Sequence, residues 1–138
     1  MGKRLFYLIL PVLTLILEAL PFGVVCVFAA GPDQVYRETF SYFDLLPFGY
    51  ANFAPLITAV LTCAAFALLV FYCITGRYVA SKAAKYLLCV CTAFSLGPLF
   101  LGIRFYSITA FLITLTLLGE LLLLHFKVPL PAETSEAE

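Results

Sequence analysis

The chain has 138 residues, of which 64% are hydrophobic and 12% are charged, and its eight basic and eight acidic side chains give no net charge. Soluble domains carry about 25% charged residues, so this composition excludes a water-soluble fold and indicates an integral membrane protein in a lipid bilayer. The balanced charge offers no basic surface, so no nucleic-acid partner is expected.

The first apolar run covers residues 5–30, and we predict that it forms transmembrane helix 1. Its 26 residues would span about 39 Å as a helix, more than the roughly 30 Å hydrocarbon core of a bilayer. The apolar part of a signal peptide has only about 7–15 residues, so the length of this run favours a retained helix.

A different kind of helix is predicted over residues 33–46. At about 100° per residue, the polar and the aromatic side chains of this segment gather on opposite arcs. The polar arc consists of Gln34, Arg37, Glu38, Ser41 and Asp44. This separation predicts an amphipathic helix that lies in the outer interface of the membrane. The alternative is an ordered loop that covers the outer ends of the spanning helices.

Three more transmembrane helices are predicted, over residues 53–75, 84–103 and 108–126. The last two come from one apolar stretch, residues 86–126, which would make a helix of about 60 Å. Because that is twice the thickness of the bilayer core, the chain has to turn back, and residues 102–107 form the predicted corner.

These elements define the predicted fold class, an all-α integral membrane protein with four transmembrane helices and an outer interfacial amphipathic helix between helices 1 and 2. Residues 1–130 form a single transmembrane domain, and residues 131–138 form an acidic cytoplasmic tail. Small residues at every fourth position, such as Ala59, Cys63 and Ala67 in helix 2, predict faces along which helices pack closely.

Basic residues near the helix ends predict the orientation, because cytoplasmic loops are enriched in Lys and Arg. One side of the membrane receives Lys3, Arg4, Arg77, Lys82, Lys85 and Lys127, and the other receives Arg37 and Arg104. This bias predicts a multi-pass protein of the cell membrane with both termini in the cytoplasm.

Two carboxyl groups interrupt the apolar runs. An ionised side chain at the centre of a spanning helix costs about 2.5–3.5 kcal/mol, so both carboxyls are expected to face the protein interior in the neutral form. Helical spacing places Glu18 on one stripe with Thr14, and Thr116 stands one turn before Glu120, within reach of a hydrogen bond. The candidate intramembrane polar site therefore consists of Glu18, Thr14, Glu120 and Thr116.

Three roles are open for these carboxyls: a hydrogen bond between helices, a proton or cation relay, and a contact with another subunit. Counted from the ends of the predicted helices, Glu18 lies near the midplane and Glu120 lies about 9 Å from the cytoplasmic end. The two side chains therefore need not meet, and their different depths argue against a carboxylate pair that performs hydrolysis.

Motifs for catalysis or cofactor binding are absent from the sequence. It contains no H-E-x-x-H pattern, no Gly-rich phosphate loop and no plausible Ser–His–Asp arrangement. The five cysteines all lie in apolar runs, which indicates packing residues rather than a disulfide framework or a metal site. We therefore predict a non-enzymatic protein without catalytic, cofactor-binding or metal-binding residues.

The general plan is similar to that of the small multidrug resistance transporters, which are short chains with four helices and a glutamate in helix 1. Glu18 carries this resemblance, whereas the aromatic segment at residues 32–53 and the second glutamate, Glu120, depart from it. Two functions are therefore considered. The favoured one is a subunit, regulator or assembly factor of a larger membrane complex, with other membrane subunits or a second copy as partners. The alternative is a small proton-coupled transporter that acts as an oligomer, with Glu18 as the coupling carboxylate.

Overall fold

The protein is described from a computed structural model that covers residues 5–32, 34–49 and 52–127. Within these residues, a short 3₁₀ turn at Phe6–Leu8 is followed by six α-helices and two strands. In chain order they are α1 (Ile9–Ala19), β1 (Val24–Gly31), β2 (Gln34–Phe40), α2 (Leu45–Gly49), α3 (Ala54–Thr75), α4 (Tyr78–Ser95), α5 (Gly97–Leu101) and α6 (Ile108–Lys127). Lys3, Arg4 and the predicted acidic tail at residues 131–138 lie outside the described residues.

Three helical segments are long and apolar enough to cross a membrane. They are Ala54–Thr75, Tyr78–Leu101 and Ile108–Lys127. The predicted boundaries of the first and the third are confirmed to within one residue. The second begins at Tyr78, six residues earlier than predicted, and it is interrupted near Pro98, whose ring cannot continue the hydrogen-bond ladder of α4.

Two glycines with positive φ angles mark the ends of these segments. Gly76, at φ 70°, ends α3, and its N–H donates to the carbonyl of Tyr72 over 2.8 Å. Gly102, at φ 127°, follows α5 at the predicted corner, and a 3₁₀ turn at Ile103–Phe105 leads from it towards α6. Residues with a Cβ rarely adopt such angles, so both glycines suit the places where the chain changes direction.

Helix 1 is shorter than predicted. It ends at Ala19 instead of residue 30, because Pro21 has no N–H for the next helical hydrogen bond. The carbonyl of Glu18, left free at this helix end, accepts a hydrogen bond from the N–H of Tyr42 at 2.9 Å. The β-branched and aromatic residues that follow form strand β1, a conformation that such side chains favour.

The predicted interfacial helix over residues 33–46 is wrong, because residues 34–40 form strand β2. This strand pairs antiparallel with β1, in a register that runs from Val24 opposite Phe40 to Gly31 opposite Gln34. Strand residues alternate between two faces, so the arcs drawn at a helical period do not exist. The protein is therefore mostly helical with a two-stranded sheet, and the expectation of an all-α fold is corrected.

Helix packing brings the long helices around a common core. Helix α1 contacts α3 and α6, α3 contacts α4, and α4 contacts α6. The face that α4 buries contains Ala84, Leu88 and Cys91, whereas Cys89 and, on α3, Cys63 are exposed. The predicted small-residue stripe through Cys63 is thus only partly used, since a spacing of four residues fits more than one face of a helix.

Ser107 connects the two-stranded sheet to the start of α6, because it contacts Gly23, the residue before β1. Its Oγ donates to the carbonyl of Gly23 at 2.8 Å and accepts a hydrogen bond from the N–H of Ala110 at 2.9 Å. The second contact is that of an N-cap, which satisfies a helix N–H that has no carbonyl partner. One hydroxyl thus holds β1 and α6 together.

Replacement of this hydroxyl tests the connection. We expect Ser107→Ala to lower the free energy of unfolding by about 1–2 kcal/mol, because the N-cap and the bond to Gly23 are both lost. Ser107→Thr keeps the hydroxyl and should retain most of the stability. Unfolding of the purified protein in detergent, titrated with SDS, measures both variants, and an alanine variant as stable as the parent would contradict this role.

Candidate functional site

The buried stripe of α1 consists of Pro11, Thr14 and Glu18. These residues follow each other at intervals of three and four, so they lie on one face of the helix. Glu18 is 0% exposed, although it is an acid in an otherwise apolar helix. Pro21, which helical spacing would place on the same stripe, lies beyond the end of α1 and is exposed.

Thr14 meets the second acid of the protein, Glu120 on α6. The Oγ1 of Thr14 lies 2.6 Å from the Oε1 of Glu120, and the Glu120 side chain is 2% exposed. The same hydroxyl lies 3.0 Å from the carbonyl of Leu10, one turn earlier in α1. This contact joins α1 to α6 through two buried polar groups.

Glu18 meets a second threonine, Thr62 on α3. The distance from Thr62 Oγ1 to Glu18 Oε1 is 2.8 Å. Thr62 Oγ1 also lies 2.9 Å from the carbonyl of Thr58 and 3.1 Å from the Sγ of Cys91 on α4. The Cys91 thiol is within 3.4 Å of the same Thr58 carbonyl, so this cluster joins α1, α3 and α4.

The number of hydrogens in these contacts indicates the protonation state of the acids. A threonine hydroxyl has one hydrogen to donate, yet Thr14 and Thr62 each face both a carboxyl oxygen and a backbone carbonyl. Backbone carbonyls can only accept, so both contacts of each hydroxyl are satisfied when the carboxyl supplies the second hydrogen. In the neutral form Glu18 donates to Thr62 and Glu120 donates to Thr14, whereas in the ionised form each carboxylate accepts from the same hydroxyl.

Each acid keeps one oxygen without a partner. The Oε2 atoms of Glu18 and Glu120 are buried and have no hydrogen-bond partner among the described residues. The contacts of the two carboxyls among those residues are with Thr14 and Thr62, and neither is a contact with a basic side chain. An unpartnered carbonyl oxygen of a neutral acid costs less than an unpaired buried charge, which agrees with the hydrogen count.

The structure brings three of the four sequence-predicted site residues together. Thr14, which contacts Glu120, stands one helical turn before Glu18. The contact with Glu120 and the Glu18 residue are therefore about 6 Å apart along α1. They are thus neighbours, although counting from the helix ends left them apart. Thr116 does not join them, since its hydroxyl donates to the carbonyl of Ile113 at 2.8 Å.

Three residues of the site were missed from the sequence: Thr58, Thr62 and Cys91. The two threonines stand one turn apart in an apolar helix, and that spacing of hydroxyls was the available signal. The stripe of small residues at every fourth position indicated a different packed face, the one that contains Cys63, the neighbour of Thr62. Nothing in the sequence indicated which of the cysteines would face the acids.

No protein-family model, curated protein or solved structure matches this chain. Within the described residues, no group of three or more His, Cys, Asp or Glu side chains is arranged to hold a metal ion. The geometry itself provides two buried acids, each within hydrogen-bond distance of a threonine hydroxyl. Such a site can hold helices together, and it can also bind and release protons.

Proposed function

We propose that this chain is a non-enzymatic multi-pass membrane protein that serves as a subunit, regulator or assembly factor of a larger membrane complex. The observation that carries the proposal is the enclosure of Glu18 and Glu120, whose Oε1 atoms are engaged by threonines of neighbouring helices. Hydrogen bonds of this kind stabilise membrane helix pairs by about 0.6–2 kcal/mol. In this structural role the two acids stabilise the packing of α1 against α3 and α6.

The proposed topology has four crossings, of which the first is made in two parts. The apolar helical residues 6–19 span about 21 Å. Residues 20–23 continue to Gly23, whose carbonyl accepts a hydrogen bond from Ser107, the residue before α6, so the first crossing reaches the level at which α6 begins. Extended backbone is tolerated at membrane depth where protein surrounds it.

Contacts at one end of the molecule support a common side for both termini. The hydroxyl of Tyr7 donates to the carbonyl of Lys127 at 3.2 Å, and Lys85 Nζ lies 2.7 Å from His125 Nδ1. The start of the helical chain, the start of α4 and the end of α6 are therefore neighbours. Their basic residues agree with a cytoplasmic position of this end in the cell membrane.

The surface of the protein supports contacts with other subunits. Strand β2 is exposed from Gln34 to Thr39 and, among the described residues, pairs with β1 along one edge only, which leaves its other edge to a partner strand. The spanning helices also keep large apolar side chains on the outside, among them Val60, Val79 and Leu115. These faces suit lipid, a second copy of the chain or the helices of another membrane protein.

One observation favours a second candidate function, proton-coupled transport by an oligomer. Glu18 and Glu120 are neighbours, and each retains a buried oxygen without a partner among the described residues. A pair of neutral acids in this state has a proton to release and a free acceptor to offer. In this candidate Glu18 is the coupling carboxylate.

Two substitutions at Glu18 distinguish the candidates. Glutamine keeps the shape and donates a hydrogen bond to Thr62, but it carries no exchangeable acid proton, whereas leucine removes the hydrogen bond. If Glu18 has the structural role, we expect the Glu18→Gln variant to bind the same partners as the parent in native membranes. The Glu18→Leu variant should be less stable than the parent by about 1–2 kcal/mol. Affinity purification with mass spectrometry and SDS unfolding measure the two effects.

A flux measurement completes this test. Protein reconstituted into vesicles that contain a pH-sensitive dye should give no proton uptake above that of empty vesicles. Proton uptake by the parent that disappears in a well-folded Glu18→Gln variant would contradict a purely structural role of Glu18 and would support proton-coupled transport. Cys89→Leu, on an exposed position of α4, serves as a matched control for the unfolding measurement and should leave the stability unchanged.

A further inference from the structure

Two basic side chains meet at the surface between α4 and α6, at the end of α6 that lies away from the corner. The Nζ of Lys85 on α4 lies 2.7 Å from the Nδ1 of His125 on α6. His125 is the third residue from the end of α6, whose 20 residues span about 30 Å, the thickness of the hydrocarbon core. The pair therefore lies at the level of the lipid head groups.

The hydrogens of this pair leave it with donors and no free acceptor. A lysine ammonium can only donate, so the Nδ1 of His125 accepts and the ring hydrogen of the neutral imidazole is on Nε2. The ammonium of Lys85 keeps two further N–H groups. A positive charge surrounded by N–H donors is complementary to an anion that offers several oxygen acceptors, such as a phosphate.

No acid of the described residues balances the charge at this end of the protein. The acids among those residues are Glu18, Glu38, Asp44 and Glu120. Two of them are buried among the helices, and the other two belong to β2 and to the turn that follows it. Further basic side chains at the end of the pair belong to Arg77, Lys82 and Lys127. A ligand at the pair therefore has to supply the negative charge.

Exposed apolar side chains stand next to both members of the pair. Tyr86 follows Lys85 and is 64% exposed, and Phe126 follows His125 and is 76% exposed. Large apolar side chains at that exposure suit contact with acyl chains rather than with water. A lipid can contact both the basic pair and this apolar surface, whereas a free phosphate ion contacts only the basic pair.

We propose that Lys85 and His125 bind the phosphate of an anionic membrane lipid between α4 and α6, with its acyl chains against the apolar surface beside them. Basic residues close to the end of a spanning helix attract anionic lipids, and basic pockets between such helices bind their head groups. The site contains neither Glu18 nor Glu120, so the inference does not rest on the proposed function.

Two lipids with the same chains and different head-group charges test the proposal. Dioctanoyl phosphatidylglycerol has a net negative charge, whereas the choline of dioctanoyl phosphatidylcholine neutralises its phosphate. Native mass spectrometry of the full-length protein in detergent, titrated with each lipid, measures the two dissociation constants. We expect phosphatidylglycerol to bind at least about 5-fold more tightly, the effect of one basic residue near a membrane surface.

Variants assign this preference to the pair. Lys85→Gln removes the charge and His125→Phe removes the nitrogen that positions the ammonium, so both should reduce the preference for phosphatidylglycerol, the first by about 5-fold. Arg104→Gln, which removes an exposed basic side chain at the opposite end of α6, should keep the preference of the parent. Equal affinity of the parent for the two lipids would overturn the proposal, and so would a preference that survives unchanged in either variant of the pair.

Two further measurements distinguish the lipid from other anions. Inorganic phosphate at the concentration of the lipid should not displace phosphatidylglycerol, because it makes no apolar contacts, and displacement would assign the pair to a soluble anion instead. Replacement of Glu133, Glu136 and Glu138 by glutamine removes the acids of the tail. A preference that appears only in this variant would assign the pair to the chain's own tail and overturn the lipid as its ligand.

Discussion

Replacement of Thr14 by valine is expected to destabilise the protein by about 1–3 kcal/mol, more than the loss of one hydrogen bond. Valine has nearly the same shape as threonine, so packing is preserved. Glu120, however, is left with both carboxyl oxygens buried and unpartnered, since Thr14 is the partner of its Oε1 and its Oε2 already has none among the described residues. A stranded buried polar group costs its full desolvation penalty.

A double-mutant cycle separates this penalty from a general loss of packing. Addition of Glu120→Leu to Thr14→Val removes the stranded acid, so the double variant should be more stable than Thr14→Val alone, with a coupling of about 1 kcal/mol or more. Thr116→Val on α6 is the matched control, because the Thr116 hydroxyl donates to the carbonyl of Ile113 in the same helix and not to Glu120. SDS unfolding measures all variants. Additive effects of the two substitutions would show that the 2.6 Å contact does not hold α1 to α6.

The second large effect is expected from a single methyl group at Gly97. A Cβ at this position would lie 2.5 Å from the Cβ of Ala54, at the start of α3, and neither atom can move without its backbone. The φ angle of Gly97 is not among the positive ones, so the backbone itself tolerates alanine. Gly97→Ala should therefore force α3 and α5 apart and cost about 1–3 kcal/mol.

Exchange of the two residues tests this explanation. In the double variant Gly97→Ala with Ala54→Gly, one methyl group still lies between the helices, and most of the stability should return. Gly49→Ala is the control, because a Cβ there meets no atom within 4 Å, and this variant should be as stable as the parent. If the exchange gives no recovery, the close approach of Gly97 to Ala54 is not the cause of the loss.

The sequence by itself determined the solvent and three of the spanning segments. Residues 53–75 and 108–126 are apolar runs of the length of a bilayer, and a helix bonds nearly every backbone N–H and C=O of such a run within the segment. For this reason the bounds of α3 and α6 were predicted to within a residue. The length of residues 86–126 predicted that the chain turns back, and Gly102 with residues 104–107 indicated where. The burial of Glu18 and Glu120 also followed, since lipid does not accept an ionised acid.

Local sequence was insufficient for residues 20–40. An apolar run that follows a helix can continue as a helix or become a strand. Pro21 ends the helical hydrogen bonding, and β1 forms because β2 provides hydrogen-bond partners for its backbone. Strand β2 mixes polar and apolar side chains on both of its faces and is exposed from Gln34 to Thr39, so only the helical period separated its side chains into two arcs. Pairing of the segment with the strand before it decided for the strand, and one chain segment read alone does not contain that information.

The partners of the two acids were likewise decided only by the tertiary structure. The sequence placed Thr116 within one turn of Glu120, which is the contact that local geometry offers. The packing of α1 against α6 instead brings Thr14 to Glu120, from more than 100 positions away in the chain, and the packing of α1 against α3 brings Thr62 to Glu18. Which faces of the helices meet depends on the fit of all the side chains between them, so the sequence determined that each acid is buried and the fold determined what it binds.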